Sequence, residues 1–390
     1  MKFYHRLRTK LMLVFTLITL LPILVTGFFA IQSSAKALKT QALSMQQQQV
    51  MTLKDSIERF LATARSDLLF LTQSVPFKQY IGAREKQLSV EALEKARKNV
   101  EQEFAALSNY RKVYYQIRYL DETGQEIVRI DTKGGKVKII AAERLQNKGS
   151  RYYFTDTMKQ RGQQVFVSPL DLNREQGKVE TPYKPVIRYG VKVYNSKHKT
   201  VGILITNIDA GQFLDTLGSA RLVDAKGFFM HHPNDNNEWG SQRDLDTGYN
   251  LETELPTLNK RLLRQDGSIN TRRLTLSSIQ VDVPGSSMSW HLILKEDAAK
   301  VLAGVYLFLT TFTLILVITL VIALLIALLI SGRITRPIEH LTEVADAISK
   351  GKLDTDIVEV DNKGEIGQLA KAFERLRVSM IKAMERLQRG

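Results

Sequence analysis

Two stretches of the chain are apolar almost without interruption, and the rest alternates with a readable period. No charge lies between Lys10 and Lys36, and Leu11 to Ile31 is nearly continuous in apolar side chains. As a helix these residues extend about 31 Å, the hydrocarbon thickness of a bilayer. A second uncharged run lies between Lys300 and Arg333. It exceeds one perpendicular crossing, which predicts a tilted helix or one that emerges from a membrane face. Pro22 predicts a bend in the first span, which neighbouring helices tolerate. A signal peptide has a shorter apolar region followed by a small-residue cleavage site, so the first run reads as an uncleaved anchor. From Gln32 to about Leu71 the apolar positions Leu38, Leu43, Val50, Leu53, Ile57, Phe60, Leu61, Ala64 and Leu68 recur mostly at spacings of three, four and seven. That is a helix with one buried stripe, a stalk continuing from the first span until Pro76 interrupts it. Ser89 is a candidate N-cap for a second helix over roughly Val90–Leu107.

After Tyr110 the period becomes two. Val113, Tyr115, Ile117 and Tyr119 alternate with Tyr114, Gln116, Arg118 and Leu120, which predicts a strand. Gly124 closes the turn after Asp121, and Glu126–Asp131 returns as the second strand of a hairpin. A short helix is expected near Tyr152–Lys159, with strands near Val165–Ser168, Tyr183–Tyr194 and Thr200–Ile208. The arrangement repeats in shorter form, with Ala220–Asp224 and Phe228–His231 around Gly227, then strands near Ser268–Leu276, Ser278–Val283 and Met288–Lys295. The predicted fold class is α+β: two antiparallel-sheet modules on a long stalk helix, with two transmembrane helices.

Beyond the second span the period returns to helical. Ile338, Leu341, Ala345 and Ile348 form one stripe, which Gly351 ends. A connector carries Leu353 and Ile357. Ile366, Leu369, Phe373, Leu376, Met380, Ala383 and Leu387 then alternate at three and four. Each helix has a narrow apolar seam, and a homodimer supplies the four helices that bury such seams as a parallel bundle.

Charge fixes the expected topology. Lys2, Arg6, Arg8 and Lys10 precede the first span, and Arg333 and Arg336 follow the second, so both termini read as cytoplasmic. Gln32–Lys300 then lies across the membrane, outside the cytoplasm. The chain carries 55 Lys and Arg against 40 Asp and Glu, a formal charge of +15. In the external region the basic residues are dispersed, which reads as a solvated surface, and nucleic acid is not an expected partner. With no cysteine, thiol nucleophiles, thiolate zinc sites and iron–sulfur clusters are excluded. His231 and His232 beside Asp235 invite a metal reading, but neighbours on a strand face opposite ways. No nucleophile elbow or phosphate loop is present. No catalytic residue, metal or cofactor is expected.

The runs Val113–Gly124, Val167–Asn173, Pro185–Gly190 and Val223–Pro233 resemble the double Cache sensor domains of bacterial receptors, whose two modules are PAS-like. The resemblance implies a small-molecule site in the membrane-distal module, between its sheet and the covering loops. Tyr114 and Arg118 have the spacing of the amino-acid-binding class, whereas Asp121 stands where that class carries tryptophan. Arg118 can clamp a carboxylate with two parallel hydrogen bonds, so an anionic ligand suits it. Tyr114 and Gln116 are expected beside it on the same face. Tyr152, Tyr153, Asp171 and Arg188 are further candidates on the walls. The competing expectation is that Arg118 pairs with Asp121 or Glu126 on a wet sheet face.

The tail resembles a HAMP signal-relay domain over about residues 332–384, through Pro337, Gly351-Lys-Leu353 and Gly364-Glu-Ile-Gly-Gln-Leu-Ala370. Gly364 departs from the family's usual aspartate, leaving Glu365 at the helix start. Expected relay positions are Pro337, Ile338, Leu341, Leu353, Ile357, Glu365, Ile366, Leu369, Phe373 and Leu376. The expected organisation is a cytoplasmic N-terminus (1–10), a first span (11–31) and a periplasmic sensor (32–300). The sensor comprises a helical stalk (32–109), a distal module (110–217) and a proximal module (218–300). A second span (301–331), HAMP (332–384) and a short tail (385–390) follow. The whole reads as a homodimeric inner-membrane receptor relaying a small-molecule signal. Its output is expected from a separate cytoplasmic protein docking on Phe373–Leu387, or from a longer chain of the histidine kinase, diguanylate cyclase or chemoreceptor kind. A non-sensory scaffold that binds a periplasmic protein is the alternative.

Overall fold

The computed structural model describes residues 7–175 and 177–389. Lys2 and Arg6 of the basic N-terminal flank lie outside them, as do the side chains of Arg8 and Leu387. The chain divides into two compact units, one of residues 39–301 and one of the segments before and after it.

Helix α1 (Leu7–Gln73) runs unbroken through the first apolar stretch and the stalk stripe, with Pro22 inside it. Two helices follow, α2 (Val75–Glu85) and α3 (Val90–Arg111). Pro76 does not end helical structure for long. It occupies the first turn of α2, where a missing N–H leaves no bond unmade. Ser89 caps α3, its Oγ accepting from the Ala92 N–H at 3.3 Å.

The distal sheet is built from β1 (Tyr114–Asp121), β2 (Glu126–Lys133), β3 (Lys136–Ile139), β4 (Phe166–Val167), β5 (Asp171–Leu172), β8 (Pro185–Tyr194) and β9 (Thr200–Asp209). Between β5 and β8 lies a small hairpin of β6 (Arg174–Glu175) and β7 (Lys178–Val179). The sheet order is β3-β2-β1-β9-β8-β4, with β5 also on β8, and every pairing is antiparallel. Helix α4 (Tyr152–Lys159) covers one face. The α1, α2 and α3 helices cover the other.

The proximal sheet has the order β11-β10-β14-β13-β12, from β10 (Arg221–Val223), β11 (Phe229–His231), β12 (Gly267–Asn270), β13 (Leu274–Asp282) and β14 (Ser289–Asp297). Short helices α5 (Gly211–Leu214), α6 (Leu251–Glu254), α7 (Asn259–Leu262) and α8 (Ala298–Val301) fill its connections. The expected break near Ser277 is corrected. The turn lies at 271–273, where the Thr271 hydroxyl accepts from the Arg273 and Leu274 N–H groups. A single apolar core joins Leu61 and Leu68 of α1 to Ile117 and Tyr189 of the distal sheet and to Leu292 and Leu294 of the proximal one. Both modules are therefore packed on one helix.

In the other unit, α9 (Ala303–Ile330) passes through a π turn at Ser331–Thr335 into α10 (Arg336–Ser349), and α11 (Glu365–Arg389) follows a connector. Stretches of α1 and α9 are long and apolar enough to cross a membrane. The α10 and α11 helices close on a small core of Leu341, Val344, Ile348, Ile357 and Ala370. Val344, which the expected stripe omits, is buried, while Ala345 is only half-buried. Gly364 sits at φ +82°, in the left-handed region glycine enters freely and aspartate less so.

Candidate functional site

The face of the distal sheet turned away from the stalk brings most of the expected site together. Arg118 projects from β1 and is 3% exposed. Its Nη1 donates to the Tyr153 hydroxyl at 3.1 Å and its Nη2 to Asn207 Oδ1 at 3.0 Å. Its guanidinium carbon lies 5.1 Å from the Tyr153 ring centroid. It forms an ion pair with Glu126 at 3.5 Å, one of the two pairings the competing expectation named, and its buried Nε has no partner among the described residues. Asn207 in turn donates to Gln116 Oε1 at 3.2 Å. The face around Arg118 is buried, not wet. Asp121 does not pair with it, since Asp121 Oδ1 accepts from Thr123 and Gln125 in the hairpin turn.

Arg188 on β8 is held differently. It donates to Asp171 Oδ1 at 2.9 Å, to Asn173 Oδ1 at 3.0 Å and to the Tyr152 hydroxyl at 3.2 Å. Burial pushes the Asp171 carboxyl up, and the attraction of Arg188 opposes this without cancelling it. Burial likewise raises the Tyr152 phenol against the pull of Arg188. An ion pair closed in this way is costly to open, because separating its members leaves buried charges unpaired. Arg118 is paired with Glu126 at 3.5 Å, a looser contact than the 2.9 Å between Arg188 and Asp171, and its two closer acceptors, Tyr153 and Asn207, are neutral groups that a carboxylate can replace. Glu126 is not free either: its Oε2 accepts from the Gln146 N–H and lies 3.6 Å from Arg129.

Tyr114 is not part of this face. A β-bulge between Tyr114 and Gln116 shifts the register against β9, and one extra residue reverses every side chain beyond it. Tyr114 therefore enters the stalk-side core and donates to Asp67 Oδ2 of α1 at 2.8 Å. Asn207 and Asn173 are site residues that the pattern reading missed, and Glu126, expected only as a pairing partner of Arg118, belongs to the site with them. The signal for Asn207 was present: an amide inside the apolar run 203–208 of β9 has no reason to be there unless it is hydrogen-bonded.

Two site features depend on packing. Gly190 of β8 lies directly under α4, where an added Cβ would come 2.4 Å from Thr157 Oγ1. This close approach seats Tyr152 and Tyr153 over the two arginines. The histidines near β11 have separate partners, His231 with Glu238 at 3.2 Å and His232 with Glu254 at 3.4 Å. Among the described residues no group of three or more His, Asp or Glu could hold a metal.

Of the expected relay positions, Leu341 and Ile357 are buried, Leu353, Ile366 and Phe373 are half-buried against the α10–α11 core, and Ile338 is half-buried. Pro337 lies in the first turn of α10 and Glu365 opens α11. Leu369 and Leu376 are 44% and 50% exposed.

Residues 84–272 match the sensor domain of bacterial histidine kinases, and residues 329–382 match the HAMP domain. Between these two domains runs a helix long and apolar enough to cross a membrane. The chain is a transmembrane sensory receptor. The receptor's sensor region, with its two antiparallel-sheet modules, resembles Cache and PAS-like folds. It is similar to the solved domain of a protein assigned to the sensory box/GGDEF family of Vibrio parahaemolyticus. That likeness has 20% identity and a TM-score of 0.58, and covers 69% of this chain and 99% of that one. The extracellular domain of the protein assigned as histidine kinase vpHK1S-Z8 is equally similar, at 20% identity and TM-score 0.58, covering 69% of this chain and 95% of that one. These likenesses are of fold. No curated protein matches the receptor's sequence. The receptor is an inner-membrane signal-transduction protein, and both of its matched domains are non-catalytic.

Proposed function

We propose that the receptor binds a small carboxylate on the distal sheet face, with Arg118 as the clamp, and works as a homodimer. The observation that carries this reading is the state of Arg118: 3% exposed, held by Tyr153 and Asn207, and paired with Glu126 only at 3.5 Å. Gln116, Tyr152 and Tyr153 complete the wall, and Arg188 with Asp171 forms its fixed side. Tyr114 acts from the other face, tying β1 to the stalk. Because Arg118 is closed over, ligand entry requires α4 or the loop at 140–151 to move. That movement is the mechanical input. Ligand binding shifts the receptor only by its differential affinity for the two arrangements.

In this reading the sensor (32–300) is periplasmic and both termini are cytoplasmic, with Arg333 and Arg336 on the inner flank of the second span. The relay residues of HAMP (332–384) hand the shift to a cytoplasmic signalling partner or to an output domain in a longer chain. The test is a thermal-shift screen of the full-length receptor against carboxylates, amines and neutral analogues. A carboxylate should raise the midpoint, and Arg118→Ala should weaken its binding by on the order of 10- to 100-fold, the loss of about 1.5–3 kcal/mol for a charge-assisted hydrogen-bond pair. A response to carboxylates that survives Arg118→Ala removes the clamp from the reading. Silence across a broad library favours a scaffold that binds a periplasmic protein.

A further inference from the structure

Within residues 39–301, a cleft of about 1030 Å³ opens between the two sheet modules. Small-molecule pockets occupy about 300–1,000 Å³, so the cleft is large enough for one. Its apolar wall is drawn from both modules: Leu170 beside β5, Phe228 and Met230 around β11, Trp239 beyond it, and Met288 and Trp290 around the start of β14. Arg118, Arg188 and Asp171 do not line it.

The wall is built, not incidental. Trp239 and Trp290 are buried, and Trp239 adopts φ +58°, a conformation costly for a bulky residue. Three hydrogen bonds hold it there: its N–H to the Phe229 carbonyl, its carbonyl from the Leu245 N–H, and its indole to Glu238. Beside the cleft the modules are clasped. The Leu172 N–H donates to Asp244 Oδ1 at 2.9 Å, and Arg174 donates to the Arg243 carbonyl. Three acids and two bases line the cleft, Asp224, Asp244 and Asp246 with Lys226 and Arg243. None of the five belongs to an ion pair among the described residues.

We propose that this cleft is a second ligand site, taking an uncharged small molecule with an aromatic body that stacks on the tryptophans. An aromatic ring finds edge and face partners here. An anion meets a lining with one acid in excess, and a cation would surrender its hydration to acids already engaged, Asp224 by the Lys226 and Phe228 N–H groups and Asp244 by the Leu172 N–H and the Ser241 hydroxyl. An occupant touches both modules at once, so it favours one setting of the clasp, independently of the Arg118 face.

The receptor supplies its own reporter. Its two tryptophans are Trp239 and Trp290, both on the cleft wall and neither in an apolar membrane span, so a quencher dissolved in lipid is silent. Full-length receptor in phospholipid vesicles is titrated with 4-bromobenzyl alcohol, whose bromine quenches indole fluorescence on contact. The expected result is saturable quenching, at least tenfold weaker for 4-bromobenzoate and 4-bromobenzylamine. It should be lost in Met288→Glu and weakened at least fivefold in Phe228→Ala, and it should be unchanged in Arg118→Ala. Circular dichroism identifies which cleft variant is folded and therefore read. Quenching that rises linearly without saturating overturns the proposal, as does equal binding of the charged analogues. Survival in the folded cleft variants does the same, and loss in Arg118→Ala would assign the probe to the distal face instead.

Discussion

Glu254 shows how one side chain can hold an element in place. Arg221 of β10 grips it through Nε and Nη2 at 2.9–3.2 Å, Lys295 of β14 lies at 2.5 Å and His232 at 3.4 Å. Burial pushes the Glu254 carboxyl up, but His232, Arg221 and Lys295 outweigh it and hold the group well below the ordinary 4.5. A carboxyl depressed in the folded state stabilises the fold when ionised. The contribution is complete above the unfolded value and fades as pH falls through the folded one. Glu254→Gln should therefore cost about 3–5 kcal/mol at pH 7, the price of leaving buried cations unpaired. The gap between variant and parent should narrow below about pH 4.5 in thermal unfolding followed from pH 7 to 3. A gap of constant size would mean that Glu254 acts through packing alone. The residue scale is also where the sequence was least legible. Arg118 was readable as a lone cation in an apolar strand, and Gln116 followed from alternation. Tyr114 was misplaced because a β-bulge leaves no mark in a binary pattern: the same residues alternate equally well on either side of it.

At the scale of elements, the position of α4 decides whether Tyr152 and Tyr153 reach the arginines, and Gly190 sets that position. Gly190→Ala places a methyl group 2.4 Å from Thr157 Oγ1 and 3.2 Å from Thr157 Cγ2, so α4 must lift from β8. A loss of about 1–3 kcal/mol is expected, the cost of overpacking, with a matching loss of carboxylate affinity at Arg118. Thr157→Ala removes both offending atoms and should restore most of the stability when combined with Gly190→Ala. Denaturant midpoints of the four proteins in that cycle give the coupling directly. Additive effects would show that α4 is positioned by other contacts. Elements this dependent on tertiary packing are hard to see in advance. Strands β1, β8 and β9, eight to ten residues long, were legible from their period. Of the two-residue strands, β4 falls inside the expected Val165–Ser168, whereas β5 to β7 were not legible, because two residues contain no period. The membrane-spanning stretches needed only composition.

For the whole molecule, the decisive question is how the cytoplasmic seam is finished. Within one chain the α11 stripe divides by sevens. Ile366, Phe373 and Met380 pack on the α10–α11 core, whereas Leu369 and Leu376 remain 44% and 50% exposed. Two helices can satisfy one edge of such a stripe but not both. A second copy in parallel would bring each Leu369 and Leu376 against its own equivalent, and each side chain so buried contributes about 1.5–3 kcal/mol. The receptor contains no cysteine, so single substitutions test this without background. Leu369→Cys and Leu376→Cys should each give disulfide-linked dimers on mild oxidation in native membranes. Lys371→Cys, on the outer face of the same helix, should not. Like positions meet across a parallel pair, so crosslinking at both leucines with none at Lys371 requires a symmetric bundle. Equal crosslinking at all three would report random collision, and none at either leucine would leave the exposed edge to a different protein.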